Sequence, residues 1–138
     1  MELVTPSLAQ LDSYVAALRR GWSPDNVRGA AAAQEQLARI EQDAAALLAS
    51  LDDRLAQGAP IKLPDGSTAQ RLPGFVRWMW DGEFCGSIGF RWQPGTAALP
   101  PHVLGHVGYT VVPWKRGQGF ATQALLALLP EAHALGMP

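Results

Sequence analysis

The sequence predicts an α+β fold, with helices layered against a sheet. Three observations predict it. Leucines recur at helical spacing in two stretches before residue 56. Two strand-like runs, 75–80 and 83–92, are joined by Asp81-Gly82, a pair that favours the tight turn of an antiparallel hairpin. A third strand-like run, Gly105 to Val112, leads through a glycine-rich turn into an apolar helix. The order is strand, two helices, antiparallel hairpin, long connection, strand, glycine turn, helix.

Glu2 to Thr5 reads as a short strand, which Pro6 stops. Ser7 and Gln10 form a capping-box pattern, and Leu8, Leu11, Val15 and Leu18 supply the apolar face of a first helix that Gly21 ends. Trp22 suits core packing better than a pocket wall. A second helix is expected from about Gly29 to Ala56, with the stripe Leu37, Ile40, Ala44, Leu47, Leu48, Leu51 and Leu55. Glu35 and Arg39 sit one turn apart on its other face and can pair weakly.

Residues 58–74 show no periodicity and hold three prolines and three glycines, which marks a long connection. It reads equally as a binding loop or a surface insertion, and Arg71 within it has no assigned role. In the hairpin, Phe75, Arg77 and Met79 share one face, and Val76, Trp78 and Trp80 the other. On the second strand Phe84, Gly86, Ile88 and Phe90 alternate with Cys85, Ser87, Gly89 and Arg91. Glycines there weaken the strand unless another backbone or a ligand comes close. Cys85 reads as a small core residue rather than a nucleophile. Residues 93–104 form a second irregular connection.

At 138 residues the chain is expected to be a single domain, 1–138, with a modest core. Its apolar fraction of 48% excludes a disordered chain, and its net charge of −1 gives no footprint for nucleic acid. A lone cysteine, Cys85, cannot form an internal disulfide and fits a reducing compartment. The first residues carry no signal-peptide pattern. No stretch reaches the ~20 apolar residues of a membrane span. A cytoplasmic protein that binds neither membrane nor nucleic acid is the expectation. His102 and His133 lack partners at metal-ligand spacing, so no metal site is expected.

The turn Trp114-Lys115-Arg116-Gly117-Gln118-Gly119 carries the chemistry. The helix after it begins near Phe120, and a helix start has unpaired N–H groups and a positive dipole end. Two glycines let an anion approach the backbone, and Arg116 adds a full charge. A pyrophosphate needs these features. The dinucleotide fingerprint is excluded because no third glycine follows Gly117-Gln118-Gly119, and the P-loop because Gly-Lys-Ser/Thr is absent. An ordinary strand–turn–helix bend is the competing reading.

Arg116-Gly117-Gln118-Gly119-Phe120-Ala121, placed after a Gly-Tyr strand, resembles the acetyl-CoA site of the GNAT superfamily of N-acyltransferases. The resemblance is closest to a bacterial branch with a Gly-His-(Ile/Val)-Gly-Tyr strand, matched by Gly105 to Tyr109. The strand before it in that branch follows Gly-x-Ile-x-(hydrophobic)-Arg, matched by Gly86 to Arg91. It implies a mixed, mostly antiparallel central sheet flanked by helices. Family members continue past the cofactor helix with a strand, a helix and a closing hairpin. This sequence ends at Gly136-Met137-Pro138, so the resemblance implies a domain cut off before those elements. Pro130 is expected to kink or break the last helix after Leu129.

The resemblance implies N-acetyl transfer from acetyl-CoA, as co-substrate, to a small-molecule or protein amine. Val111 and Val112 would give backbone groups to the pantetheine arm and the acetyl carbonyl. Arg116, Gly117, Gln118, Gly119, Phe120 and Ala121 would cradle the pyrophosphate. The attacking amine must be neutral, which calls for a base or a water chain. His106 is the best candidate, sharing a strand face with Gly108, Thr110 and Val112. A histidine that holds a loop by a hydrogen bond is the competing use. Glu83 is a weaker base, better read as a solvated turn residue, and Tyr109 reads as packing. A non-catalytic acyl-CoA-binding or interaction module is the alternative function. Without a further strand, the outer edge of 105–112 would be uncovered, and either pairing with another copy there or poor solubility of the chain alone is expected.

Overall fold

The computed structural model describes residues 1–25, 28–53, 61–62, 66–69, 73–92 and 107–134. One sheet organises them. Its strands run β1 (Glu2–Val4), β5 (Gly74–Trp80), β6 (Phe84–Arg91) and β7 (Val107–Val111), neighbour to neighbour in that order. A two-residue strand, β2 (Asp52–Asp53), shares the outer edge of β5 with β1: β1 pairs with residues 78–80 and β2 with residues 74–75. Every pairing described is antiparallel. Three helices flank the sheet: α1 (Leu8–Arg19), α2 (Ala30–Ser50) and α3 (Phe120–Ala134). This is the α+β architecture the sequence predicts.

Side-chain alternation along β5 builds the two faces. Val76, Trp78 and Trp80 meet the layer of α1 and α2, around Leu11, Tyr14, Leu18 and Ala33. Phe75 and Met79 meet the layer of α3, around Ala124 and Leu128. β1 follows the same parity, with Val4 on the first face and Leu3 on the second. Tyr14 stacks on Trp78 at 4.4 Å between centroids, and Trp22 and Phe84 close the cluster edge-on. Each large side chain buried here contributes roughly 1.5–3 kcal/mol, so the aromatic knot outweighs any single surface contact.

Helix α1 ends as its glycine requires. Gly21 has φ 100, Gly21 N–H donates to Leu18 O, and Trp22 N–H donates to Ala17 O. This is a Schellman closure, and its apolar C″ residue, Trp22, packs back on the core. At the other end Ser7 is the N-cap, but its hydroxyl donates to Gln10 Oε1 at 2.6 Å instead of capping a backbone N–H. Leu8, expected in the apolar stripe, is 64% exposed, and Tyr14 takes the central buried position.

Four further expectations are corrected. Helix α2 stops at Ser50 rather than Ala56, because Asp52 and Asp53 leave it to pair with β5. It also kinks at Asp43, whose carboxylate accepts from Ala46 N–H at 3.1 Å and caps the second segment. Glu35 pairs with Arg28, not with Arg39, which donates to Ser50 Oγ at 3.1 Å. Within the expected aperiodic stretch, β3 (Ile61–Lys62) and β4 (Thr68–Ala69) form a small antiparallel pair. Arg71 and Leu55 lie outside the described residues. Helix α3 continues through Pro130 to Ala134. The carbonyl that loses its donor there belongs to Leu126, an exposed residue that water can serve. Arg77, buried beneath Phe75, pairs with Glu131 at 3.2 Å and holds the turn beyond the proline.

The hairpin corrects the alternation of its second strand. Trp80 pairs with Phe84 and Met79 with Gly86, so three residues, Asp81 to Glu83, make the turn and Cys85 is an extra residue. That bulge flips the parity. Phe84 joins Trp78 on the α1 side, whereas Cys85, Ile88 and Phe90 face α3. Cys85 is fully buried, and burial, then the neighbouring Asp81 carboxylate, pushes its thiol up to about 12. Iodoacetamide at neutral pH is therefore expected to leave Cys85 unlabelled in the native protein and to label it in urea. Rapid native labelling, read by mass spectrometry, would contradict the buried placement.

Candidate functional site

β7 is the last described strand of the sheet, and its chain turns directly into the start of α3. Three contacts fix that turn. Val112 N–H donates to Cys85 O at 2.8 Å, which carries the ladder one residue past β7. A short 3₁₀ turn, Pro113–Lys115, follows, and Lys115 N–H donates to Val112 O at 3.0 Å. Trp114 packs against the α1 layer, with the Arg20 guanidinium 3.6 Å above its ring.

Gly117 and Gly119 then take φ 81 and φ 75, a region that side-chain-bearing residues rarely adopt. They turn the chain so that α3 starts with Gly119 O accepting from Gln123 N–H at 3.1 Å. A Cβ on Gly117 would meet nothing within 4 Å, so the space in front of this backbone is open. The N–H groups of Gly117, Gln118 and Gly119 have no hydrogen-bond partner among the described residues. The first N–H groups of α3 lie beyond the reach of its own carbonyls, as at any helix start.

A cleft of about 320 Å³ opens over this turn. Arg116, Gly117, Gly119, Phe120 and Ala121 line one side, and Tyr109 to Val111 line the other. The sequence therefore brings together most of its expected site residues. Gln118 sits in the turn between the two glycines and does not itself line the cleft. Arg116 donates from Nε to Val111 O at 3.2 Å, which lays its guanidinium along the strand edge. It has no carboxylate partner among the described residues.

Backbone direction separates Val111 from Val112. Antiparallel pairing points successive residues' N–H and C=O groups to opposite sides of a strand. Val112 turns toward β6, and both of its backbone groups are already used, by Cys85 and Lys115. Val111 turns outward to the open edge, as the Arg116 contact to its carbonyl records. The expected contribution of Val112 as a backbone donor to a ligand conflicts with this, because its N–H is spent on the ladder. His106 lies outside the described residues.

Two residues of the site escape sequence reasoning. Tyr109, expected in the packing, is 52% exposed and borders the cleft. Its register position opposite Ile88 places it on the α3 side of the sheet, where the open edge leaves it uncovered. Glu83 is the solvated turn residue expected, with its side chain 63% exposed, but it also pairs with Lys115 beside Asp81, a contact the sequence does not show. The Asp81 carboxyl is held below the usual carboxylate range, chiefly by its hydrogen bond from Lys115. For Lys115 burial acts downward, but the hydrogen bonds to Asp81 and Glu83 outweigh it and hold the ammonium above its ordinary value. Asp81's share of the stability is present above the ordinary carboxyl pKa and is lost as pH falls through the lowered value. Lys115's share is present below the ordinary lysine pKa and is lost as pH rises through the raised value. Asp81 and Lys115 are therefore ionised and paired across the neutral range.

On the face opposite α3, Trp22 Nε1 donates to Thr110 Oγ1 at 3.3 Å, and both residues are buried. This bond ties the connection after α1 to β7 beside the cleft. Among the described residues no group of His, Cys, Asp and Glu could hold a metal ion, and no helix is long and apolar enough to cross a membrane.

An antiparallel sheet, a strand that hands over to a helix through two positive-φ glycines, and an exposed arginine at the turn make up the candidate site. The chain belongs to the GNAT acetyltransferase family, whose model matches residues 35–137, well over half of its length. The chain is thus an acyltransferase of the acetyltransferase class. Comparisons with curated proteins and with solved structures gave no match.

Proposed function

We propose that the chain transfers an acetyl group from acetyl-CoA to a primary amine by direct attack of the amine on the thioester. One observation carries the reading: at the start of α3, the Gly117–Gly119 turn has N–H groups with no hydrogen-bond partner among the described residues and open space at Gly117, beside an arginine that has no carboxylate partner among them. A helix start with bare N–H groups favours a phosphate, and a guanidinium binds one in a forked geometry.

The pyrophosphate would rest on the turn from Arg116 to Ala121, and the pantetheine arm would follow the open edge of β7. Val111 N–H, outward by alternation, is the backbone donor for negative charge that develops on the acetyl oxygen. The amine attacks the carbonyl carbon, the carbon–sulfur bond breaks, and the thiolate leaves and takes a proton. A lysine-like amine has a pKa of ~10.4, so it must first lose a proton at neutral pH. His106 is the proposed base. The acceptor, a small molecule or a protein amine, is recognised by residues other than the donor turn.

The test is thiol release from acetyl-CoA in the presence of an amine panel. Release that requires both acetyl-CoA and an amine is expected. Binding of acetyl-CoA without amine-dependent release would favour a non-catalytic acyl-CoA-binding module. His106→Gln is expected to lower turnover at least about a hundredfold, the lower end of the ~10²–10⁴-fold range of general base catalysis, and to leave acetyl-CoA affinity unchanged. An unaltered pH–rate profile in that variant would remove His106 from the chemistry.

A further inference from the structure

Lys115 borders the cleft, one residue before Arg116, yet its ammonium is already committed. Nζ donates to Asp81 Oδ1 at 2.9 Å and Oδ2 at 2.8 Å, and lies 2.8 Å from Glu83 Oε1. An ammonium has three hydrogens, and three acceptors stand within bonding distance. The Lys115 side chain is only 12% exposed. None of its donors is left for a phosphate.

The two carboxylates belong to the β5–β6 turn, which sequence separates from the donor turn by some thirty residues. Left bare, their charge would oppose an anion bound at the turn that follows Lys115. Lys115 cancels one of the two charges and occupies oxygens of both. It also fastens the far end of the Pro113–Lys115 turn, whose near end is held by Val112 and Cys85. Arg116 follows directly and lines the cleft, with one of its five donors on Val111 O.

We propose that Lys115 is a positioning residue for the acyl donor: it fastens the phosphate-binding turn to the β5–β6 turn and masks Asp81 and Glu83, leaving Arg116 as the cation that meets the phosphates. The inference rests on the acyl-CoA reading above.

Binding of acetyl-CoA and of acetyl-pantetheine, which lacks the pyrophosphate, to the purified full chain tests it by calorimetry. Lys115→Met is expected to weaken acetyl-CoA about tenfold, the scale of one charge-assisted hydrogen bond, and to leave acetyl-pantetheine within twofold. Adding Asp81→Asn to Lys115→Met is expected to recover part of the loss, because one exposed carboxylate is removed. Lys115→Arg keeps the charge and can reach both acids, so it should stay within threefold of the parent. Where the methionine variant does not fold, Lys115→Gln carries the same comparison. Unchanged acetyl-CoA affinity, equal losses for both ligands, or a further loss on adding Asp81→Asn would overturn the inference. A parent chain that binds neither ligand would overturn the acyl-CoA reading itself, and this inference with it. Parent binding with an indifferent Lys115→Met would overturn this inference alone.

Discussion

Gly86→Ala is expected to cost the fold about 1–3 kcal/mol, the range for forcing extra carbon into a packed site, and to displace the strand that borders the cleft. A Cβ at Gly86 would stand 2.4 Å from Thr110 O and 2.9 Å from Val111 Cα. Both are backbone atoms, so no side-chain rotation relieves the contact, and real Cβ atoms essentially never come this close. The cause is the register. Gly86 faces Val111 as a non-hydrogen-bonded pair, in which Cα atoms approach to about 4.5 Å. The bulge at Cys85 lies directly beside this pair, and bulges raise the local twist of a strand. Relief requires β7 to move outward at Val111, and that would also carry the outward N–H of Val111 away from its place.

Gly89 on the same strand supplies the control. Its Cβ would have no neighbour nearer than 3.8 Å, which is ordinary contact. Gly89→Ala should therefore change stability by no more than about 0.5 kcal/mol, as surface-type substitutions do. Urea unfolding of the two variants makes the comparison, with the slope checked for constancy so that the midpoint reports stability. Equal midpoints for Gly86→Ala and Gly89→Ala would mean that β7 does not lie over Gly86 as described.

This close approach shows where the sequence is legible and where it is not. Strand glycines announce that something comes near, but not how near: a Cβ at Gly86 would collide with backbone, and one at Gly89 would meet it only at ordinary contact distance. The faces of β5 follow from alternation because nothing interrupts it, and Phe75 and Met79 part from Trp78 as expected. The same rule fails on β6, because a three-residue turn in place of Asp81-Gly82 inserts Cys85 and flips Phe84. Helix α2 is legible from its leucines up to Leu51, but its end is set by Asp52 and Asp53 pairing with a strand more than twenty residues on. The donor turn is legible because it is local: two glycines and an arginine between a strand and a helix. The partners of Lys115 are not, because Asp81 and Glu83 arrive by tertiary folding. Nor is the difference between Val111 and Val112, which depends on which side of β7 faces β6. Tyr109 is misjudged for the same reason, since an aromatic on a strand packs only if its edge is covered.

Arg116→Ala is expected to weaken acetyl-CoA by about ten- to a hundredfold, and acetyl-pantetheine far less. Charge-assisted hydrogen bonds are worth roughly 1.5–3 kcal/mol, and each 1.4 kcal/mol is a factor of ten. The asymmetry between ligands matters more than the size of the loss. Arg116 has two roles that a single variant removes together: its Nε supports Val111 O at 3.2 Å, and its charge faces the cleft. Loss of the first loosens the strand edge, which both ligands need. Loss of the second touches only a ligand that carries phosphates. Arg116→Lys separates them, because an ammonium keeps the charge and gives up the guanidinium fork. It should recover part of the acetyl-CoA affinity, and that recovery should fade as salt rises, since an exposed charge acts over about 10 Å at 0.1 M ionic strength. Calorimetric titration of the three proteins with both ligands at two salt concentrations decides the matter. Equal losses for acetyl-CoA and acetyl-pantetheine in Arg116→Ala would show that the arginine only buttresses Val111. The phosphates would then have to be met by the bare N–H groups of the glycine turn alone.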